Sequence, residues 1–158
     1  MAVQGSSDSV FDAFIRSFER DSEESPVGLL APDLIVTDWM LPGVTLRGRD
    51  EVLAKFFAPL PASFPDVFFE LEEAVFAGTS EDGYVTARGD FTGTFVNDYR
   101  IDTVPSPITI RAHGRPVRWT AHDIYRFKDG KIVEIWFGND TLTVASQLGC
   151  IAEEDRPW

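Results

Sequence analysis

Apolar and polar residues alternate most regularly over residues 119–137, in two runs rich in aromatic and β-branched side chains. The runs are joined at Lys128-Asp129-Gly130, so the pattern predicts a β-hairpin. A two-residue Asp-Gly turn would pair Asp123 with Trp136, whereas a three-residue turn with its glycine in the left-handed conformation would pair Asp123 with Ile135. The three-residue turn separates apolar from polar positions better, and we favour it for that reason.

In that register one face of the hairpin is mostly apolar and is predicted to be buried. It carries Trp119, Ala121, Asp123, Tyr125, Phe127, Val133, Ile135 and Phe137. The other, more polar face carries Arg118, Thr120, His122, Ile124, Arg126, Ile132, Glu134 and Trp136. The one carboxylate on the apolar face is Asp123, and such a charge is costly unless it is paired, hydrogen-bonded, protonated or at a cavity wall. Asp123 is therefore the strongest functional candidate.

The N-terminal third shows helical spacing and then a short alternating run. Apolar residues at helical intervals, which predict a first helix, are Val10, Phe11, Phe14, Ile15 and Phe18; of these, Phe14 or Phe18 would reach a pocket. Residues 26–33 suggest a short helix and a turn. Residues 34–40 alternate as a strand, with Leu34, Val36, Asp38 and Met40 on one face. Asp38 would then either face a pocket or cap the Pro42-Gly43 turn, and the pattern leaves both open.

The remaining chain predicts one more long helix and several long strands. Residues 49–60 form a helix that buries apolar residues and ends at two prolines. Strands follow over residues 66–77, with Val67, Phe69, Leu71 and Val75 on one face, and over residues 84–95, with Val85, Ala87, Phe91 and Phe95 on one face. Arg88 and Asp90 fall on the opposite face unless a bulge reverses the alternation.

Two segments near the C-terminus complete the prediction. Residues 97–107 hold two prolines and mixed charges, which suggests a long loop and a candidate lid. Asp140 can cap a last helix that runs through Leu148 and stops at Gly149, with residues 150–158 as a tail. This order of elements predicts an α+β fold in one domain over residues 1–158. Its sheet is strongly curved and mostly antiparallel, and helices on the concave side form a conical pocket.

Composition narrows the possible partners. The 158 residues carry a net charge of −12, which argues against nucleic-acid or anionic-membrane partners. One cysteine, Cys150, and an N-terminus without a signal pattern lead us to expect a cytoplasmic protein. Two separated histidines, His113 and His122, and the lack of a glycine-rich phosphate loop predict neither a metal nor a cofactor.

Several motifs in this chain resemble those of the SnoaL-like polyketide cyclases, in the nuclear transport factor 2-like superfamily of conical α+β proteins. They are FPD at 64–66 and ARGDFTGTF at 87–95. A third motif lies between Asp129 and Gly149 and consists of DGKIVEIW, a later Asp and then QLG. The resemblance covers nearly the whole chain in order. It implies the conical fold more strongly than any one reaction, because one fold hosts many chemistries.

Three enzyme branches of this superfamily can be compared by residue. The SnoaL-type cyclases have a catalytic Asp where this chain has Phe137. The resemblance to ketosteroid isomerase implies that Asp38 is a catalytic base and that Asp123 binds the oxyanion, while Phe14 replaces a donor tyrosine. The resemblance to limonene epoxide hydrolase implies roles for Arg88 and Asp90, although its second Asp again falls on Phe137.

Alternation and resemblance select the same two carboxylates, so we predict proton transfer next to a carbonyl in a hydrophobic small molecule. Asp38 would act as the ionised base, and Asp123 would stay protonated and donate to the developing enolate. The substrate-binding candidates are Phe14, Met40, Trp119, Tyr125 and Phe137. The alternatives are epoxide opening with Arg88 and Asp90, and a non-catalytic ligand-binding or dimerisation module. Trp136, Ile124 and Ile132 on the outer face suggest a homodimer.

Overall fold

The computed structural model describes residues 9–18, 25–38, 44–152 and 154, and the following description refers to these. The helical elements are α1 (Ser9–Arg16), a 3-10 turn (Pro26–Leu29), α2 (Arg49–Val52), which continues as a π-helical segment (Leu53–Phe57), α3 (Pro59–Ser63) and α4 (Thr141–Gln147). The strands are β1 (Leu30–Asp38), β2 (Thr45–Arg47), β3 (Phe68–Gly78), β4 (Asp82–Thr94), β5 (Tyr99–Ile101), β6 (Ile108–Ile110), β7 (Pro116–Lys128) and β8 (Lys131–Phe137).

Six strands form one open sheet in the order β2-β1-β8-β7-β4-β3, and β5 pairs with β6 separately. Only β1 and β8 run parallel, so the sheet is mostly antiparallel, and the predicted α+β class is confirmed. The apolar face of the sheet packs against the first two helices, since Phe11, Phe14 and Val52 share one core cluster with Tyr125 and Ile135. The sheet curves around this core without closing into a barrel.

The hairpin of β7 and β8 has most of the predicted faces, but the favoured three-residue turn is wrong. Its turn has two residues, Asp129 and Gly130, both at positive φ, and a bulge then leaves Val133 without a partner. Beyond the bulge Ile124 pairs with Trp136, so Asp123 opposes neither of the residues that the two turn types predicted. The bulge also reverses the alternation near the turn. Ile132 is fully buried and Val133 only partly so, which corrects the prediction for both.

A second bulge explains the error in β3. Leu71 pairs with Gly89 and Glu73 with Arg88, so Glu72 is the extra residue. The alternation therefore reverses after Glu72, and Val75, predicted to be buried, is half exposed. Leu71, which precedes the bulge, is 36% exposed. Ala74 and Phe76 pack against the core instead, although periodicity alone assigns them to solvent.

Other boundaries differ in smaller ways. The predicted turn near residue 33 is wrong, because β1 already begins at Leu30. The second helical region continues to Ser63, because Pro59 occupies the first turn of α3, where no backbone donor is lost. The predicted long loop 97–107 contains β5, so its irregular part is shorter.

The last helix follows the prediction. The Asp140 side chain accepts a hydrogen bond from the Thr143 amide, and Gly149 follows the helix at a positive φ. Met40, the Pro42-Gly43 turn and most of the tail 150–158 lie outside the described residues. In the part of the chain that is described, no helix is long and apolar enough to cross a membrane.

Candidate functional site

A cavity lies between the concave face of the sheet and the helices. The space open to the centres of water molecules is about 60 Å³, enough for roughly four to six waters. Its walls are mainly aromatic, and the lining residues are Phe14, Ile15, Phe18, Asp38, Phe56, Phe57, Leu60, Phe64, Phe69, Phe91, Tyr99, Trp119, Asp123, Tyr125, Phe137, Asn139, Val144 and Leu148. Both carboxylates that alternation selected, Asp38 and Asp123, are in this set.

Asp123 is almost completely buried in the middle of β7. Tyr125 donates its hydroxyl proton to Oδ2 of Asp123 at 3.1 Å, and the Gly138 amide donates to Oδ1 at 3.2 Å. Burial raises the pKa of this carboxyl to about 7, against the lowering effect of the two hydrogen bonds, and the nearby charge of Asp38 raises it further. Asp123 can therefore exchange its proton near neutral pH.

Asp38 is the last residue of β1, where it pairs with Phe137 of the parallel strand β8. Its side chain is buried, on the same face as Leu34 and Val36, as the alternation predicted. The charge of Asp38 contributes to the raised pKa of Asp123, so the two carboxyls lie within electrostatic reach of each other across one apolar cavity. The residues after Asp38, which a capping role would involve, are not among those described.

The other predicted binding residues form the aromatic wall. Phe14, Trp119, Tyr125 and Phe137 all line the cavity, while Met40 is not described. Phe137 stacks on Phe56 with a centroid distance of 4.7 Å, and Trp119 stacks on Phe91 at 5.7 Å. The rings stabilise one another through offset and edge contacts, and they hold Asp38 and Asp123 in surroundings of low polarity.

Two polar lining residues were missed by the sequence analysis, Tyr99 and Asn139. Tyr99 lies on β5, inside the segment that the prolines made appear to be a loop. Asn139 follows β8, and its Oδ1 accepts a hydrogen bond of 3.1 Å from the indole N–H of Trp119. Asn139 could have been found from the sequence, because it lies two residues after the cavity residue Phe137. Tyr99 could not, because β5 is too short to show any alternation.

Arg88 and Asp90 lie on the face of the sheet opposite the cavity, and the structure does not bring them to it. Arg88 is exposed and pairs with Glu72 at 3.2 Å. Asp90 is buried against its neighbouring strand, where it accepts hydrogen bonds from Thr120 at 2.7 Å and from Nε of Arg118 at 2.9 Å. These donors keep the pKa of Asp90 below its usual value.

Metal ligation has no obvious place in the described part of the chain. No group of three or more His, Cys, Asp or Glu side chains there is arranged to hold a metal ion. His113 instead contacts the carbonyl oxygen of Gln147 at 2.8 Å and packs edge-on against Phe95. His122 is exposed on the outer face.

The curved α+β sheet and its helix-covered aromatic cavity define the conical α+β fold that the sequence motifs implied. The family model for the SnoaL-like domain matches residues 11–135, and the chain belongs to this family. The family resemblance deduced from the sequence motifs is thus confirmed. No curated protein matches the sequence.

Solved structures extend this assignment. A proposed SnoaL-like polyketide cyclase from Jannaschia sp. CCS1 superposes with a TM-score of 0.69 at 15% identity, over 90% of this chain and 93% of that one, which shows the fold. IdmH of Streptomyces antibioticus, a proposed polyketide cyclase, is 26% identical with a TM-score of 0.63, over 89% and 96%. A proposed polyketide cyclase from Bacillus cereus ATCC 10987 is 27% identical with a TM-score of 0.61, over 90% and 80%.

Proposed function

We propose that this protein is a cofactor-independent acid/base enzyme that moves a proton next to a carbonyl group in a hydrophobic small molecule. Isomerisation or ring closure of a polyketide-, terpenoid- or steroid-like compound would result. The observation that carries the proposal is that Asp38 and Asp123, from two different strands, both line one aromatic cavity. The SnoaL-like family and its proposed polyketide cyclases support the same class of substrate.

The proposed mechanism divides the two roles between the carboxyls. Asp38, ionised, takes the proton from the carbon next to the carbonyl. Asp123, protonated, donates a hydrogen bond to the carbonyl oxygen as negative charge develops there. The pKa of about 7 for Asp123 supports this role, because a carboxyl with an ordinary pKa would have lost its proton at neutral pH.

The surrounding residues act by excluding water and by holding Asp123 in place. Tyr125 donates to Oδ2 of Asp123 and Gly138 donates to Oδ1, and these two hydrogen bonds fix the orientation of the carboxyl group. The aromatic wall, which includes Phe14, Trp119 and Phe137, lowers the local dielectric and strengthens each hydrogen bond in the cavity. No group outside the chain is needed for these steps.

Solvent-deuterium exchange tests the proposal directly. The enzyme in D₂O is mixed with 4-methylcyclohexanone or 1-tetralone, and loss of the proton signals next to the carbonyl is followed by NMR. We expect wild-type protein to accelerate exchange, and Asp38→Asn and Asp123→Asn each to slow it by about 100-fold or more. Arg88→Ala, on the opposite face, is the control and keeps the wild-type rate.

The same experiment separates the alternatives. If Arg88→Ala is the only damaging change, the epoxide-opening interpretation with Arg88 and Asp90 gains support. If neither ketone exchanges above the buffer rate and an apolar dye binds equally to all variants, the chain is a binding module. Either outcome contradicts the proposed proton transfer.

We also propose a cytoplasmic homodimer formed through the outer face of the sheet. Ile124 and Trp136 pair with each other there and stay only partly buried in one chain, which leaves apolar area for a second copy. Ile132 no longer belongs to this surface, because the bulge turns it inward. Analytical ultracentrifugation of the wild type and Trp136→Glu tests the dimer, which the variant should dissociate.

A further inference from the structure

Two polar residues that line the cavity, Tyr99 and Asn139, have no part in the proposed mechanism. Tyr125, which donates to Asp123, belongs to the first core cluster with Phe14 and Phe137. Trp119 belongs to a second cluster, against which Tyr99 packs. Trp119 and Asp123 are four residues apart on one strand, so their Cα atoms are about 13 Å apart.

The amide of Asn139 has a defined orientation. The indole N–H of Trp119 can only donate, and it lies 3.1 Å from Oδ1 of Asn139. The amide oxygen therefore faces Trp119, and the –NH₂ group faces away from it. Among the described residues, none accepts a hydrogen bond from this –NH₂ group, although Asn139 lines the cavity.

Tyr99 presents a second donor to the same cavity. Its hydroxyl makes no hydrogen bond with any residue of the described ranges, so it can donate to a molecule in the cavity. Burial raises the pKa of Tyr99 to about 12, and the charge of Asp38 adds to the effect. The phenol therefore keeps its proton at physiological pH and remains a donor.

We propose that Tyr99 and Asn139 form a second polar subsite, which donates hydrogen bonds to an uncharged oxygen of the substrate other than the reacting carbonyl. This inference rests on the proposed function, and it specifies the substrate class. The substrate is a cyclic compound with two oxygen functions, either a diketone or a hydroxyketone. A site that offers two donors rejects an analogue without the second oxygen, because the donors would lose their water and gain no partner.

A matched pair of ketones tests the subsite. Cyclohexane-1,4-dione carries a second oxygen where 4-methylcyclohexanone carries a methyl group, and both can be followed by deuterium exchange. We expect wild-type protein to show a KM for the dione at least tenfold lower. Tyr99→Phe and Asn139→Asp should each reduce that difference to threefold or less, and in Tyr99→Phe the change should fall on KM rather than on kcat per carbonyl. Asn139→Asp keeps an oxygen for Trp119 while removing the –NH₂ donor.

Tyr84→Phe serves as the control, since Tyr84 is exposed on the outer face and should leave both KM values unchanged. Equal KM values for the two ketones in the wild type would overturn the subsite. So would an equal loss of kcat for both ketones in Tyr99→Phe, which would place the phenol at the reacting carbonyl or in the fold.

A binding measurement separates failure of the subsite from failure of the proposed enzyme activity. The indole N–H signal of Trp119 in an NMR titration reports occupancy without any turnover. If neither ketone exchanges, tighter binding of the dione that is lost in Tyr99→Phe still supports the subsite. Equal binding of both ketones in that titration contradicts it.

Discussion

The hydroxyl of Tyr125 donates to Oδ2 of Asp123 at 3.1 Å, across two residues of the same strand, with both side chains buried. Residues at i and i+2 on a strand share a face, so this contact follows from the strand itself. The hydrogen bond stabilises the ionised carboxylate, while burial stabilises the protonated acid. Burial is the larger effect, and it brings the pKa of Asp123 to about 7.

This raised pKa makes the stability of the fold depend on pH. An aspartate in an unfolded chain has a pKa of about 3.9. Between that pH and about 7, the folded protein holds a proton that the unfolded chain has lost, so the free energy of unfolding falls as pH rises. The pKa of Asp123 differs by about 3 between the folded and unfolded states, and a difference of one corresponds to about 1.4 kcal/mol. The free energy of unfolding can therefore fall by at most about 4 kcal/mol over this pH range.

Asp123→Asn should remove this dependence, because an amide stays uncharged; its oxygen can accept from the Gly138 amide, and its –NH₂ group can donate to the hydroxyl oxygen of Tyr125. We expect the variant to match the wild type at or below about pH 4 and to become progressively more stable than the wild type between pH 5 and 8, as measured by urea unfolding. Asp50→Asn, at an exposed position, should follow the wild-type pH dependence. An Asp123→Asn variant that keeps the wild-type slope between pH 5 and 8 would show that Asp123 is not the titrating group.

Two substitutions should move the pKa of Asp123 in opposite directions. Tyr125→Phe removes a donor to the carboxylate, so the pKa should rise above about 7. Asp38→Asn removes a nearby negative charge, so the pKa should fall. Carbon-13 NMR of the labelled aspartate carboxyls measures both values without any substrate. Shifts of the same sign in the two variants would be inconsistent with the geometry of the cavity.

The proposed roles also predict the pH dependence of activity. If Asp123 acts as a protonated donor, kcat/KM for deuterium exchange should decrease as pH rises through about 7. If Asp123 were the base instead, kcat/KM would increase over the same range. The Tyr125→Phe variant should move this decrease to higher pH, together with the pKa from NMR. A rate that is flat between pH 6 and 8 would exclude both roles.

The sequence predicted the parts of the site that follow strand periodicity. Asp38 and Asp123 lie on regular stretches of β1 and β7, where alternate residues face the cavity. The bulges at Glu72 and Val133 each add one residue, so the alternation on the two sides of each bulge is out of step, and a single alternating pattern assigns part of the strand to the wrong face. Tertiary contacts, rather than periodicity, bring Tyr99 to the cavity.

Phe137 allows a test of how the aromatic wall selects substrates. It stacks on Phe56 at 4.7 Å and meets Phe57 edge-on at 6.0 Å. Phe137→Ala should destabilise the fold by about 3 kcal/mol and widen the cavity. We expect the KM for 1-tetralone to fall relative to that for 4-methylcyclohexanone.

The control for that change is Phe95→Ala. Phe95 is fully buried in the second core cluster and stacks on Phe64 at 5.0 Å, but it does not line the cavity. It should destabilise the fold to a similar degree in thermal unfolding while leaving the ratio of the two KM values unchanged. If the ratio of the two KM values also changes in Phe95→Ala, the effect of Phe137→Ala would result from loosened packing rather than from a larger cavity.

A substitution on the outer face of the sheet should lower the stability of the fold without changing the activity. Asp90 joins β4 to β7 through Thr120 and Arg118, so Asp90→Ala leaves these donors without their acceptor. We expect a loss of about 1–2 kcal/mol in unfolding free energy at pH 7. Because donors lower the pKa of Asp90, its stabilisation should weaken only as pH falls below about 4.

Arg88→Ala removes an exposed pair and should change stability by less than about 0.5 kcal/mol. Both variants should retain wild-type exchange rates when folded, since neither residue borders the cavity, and loss of activity in a folded Asp90→Ala protein would instead support chemistry on the outer face.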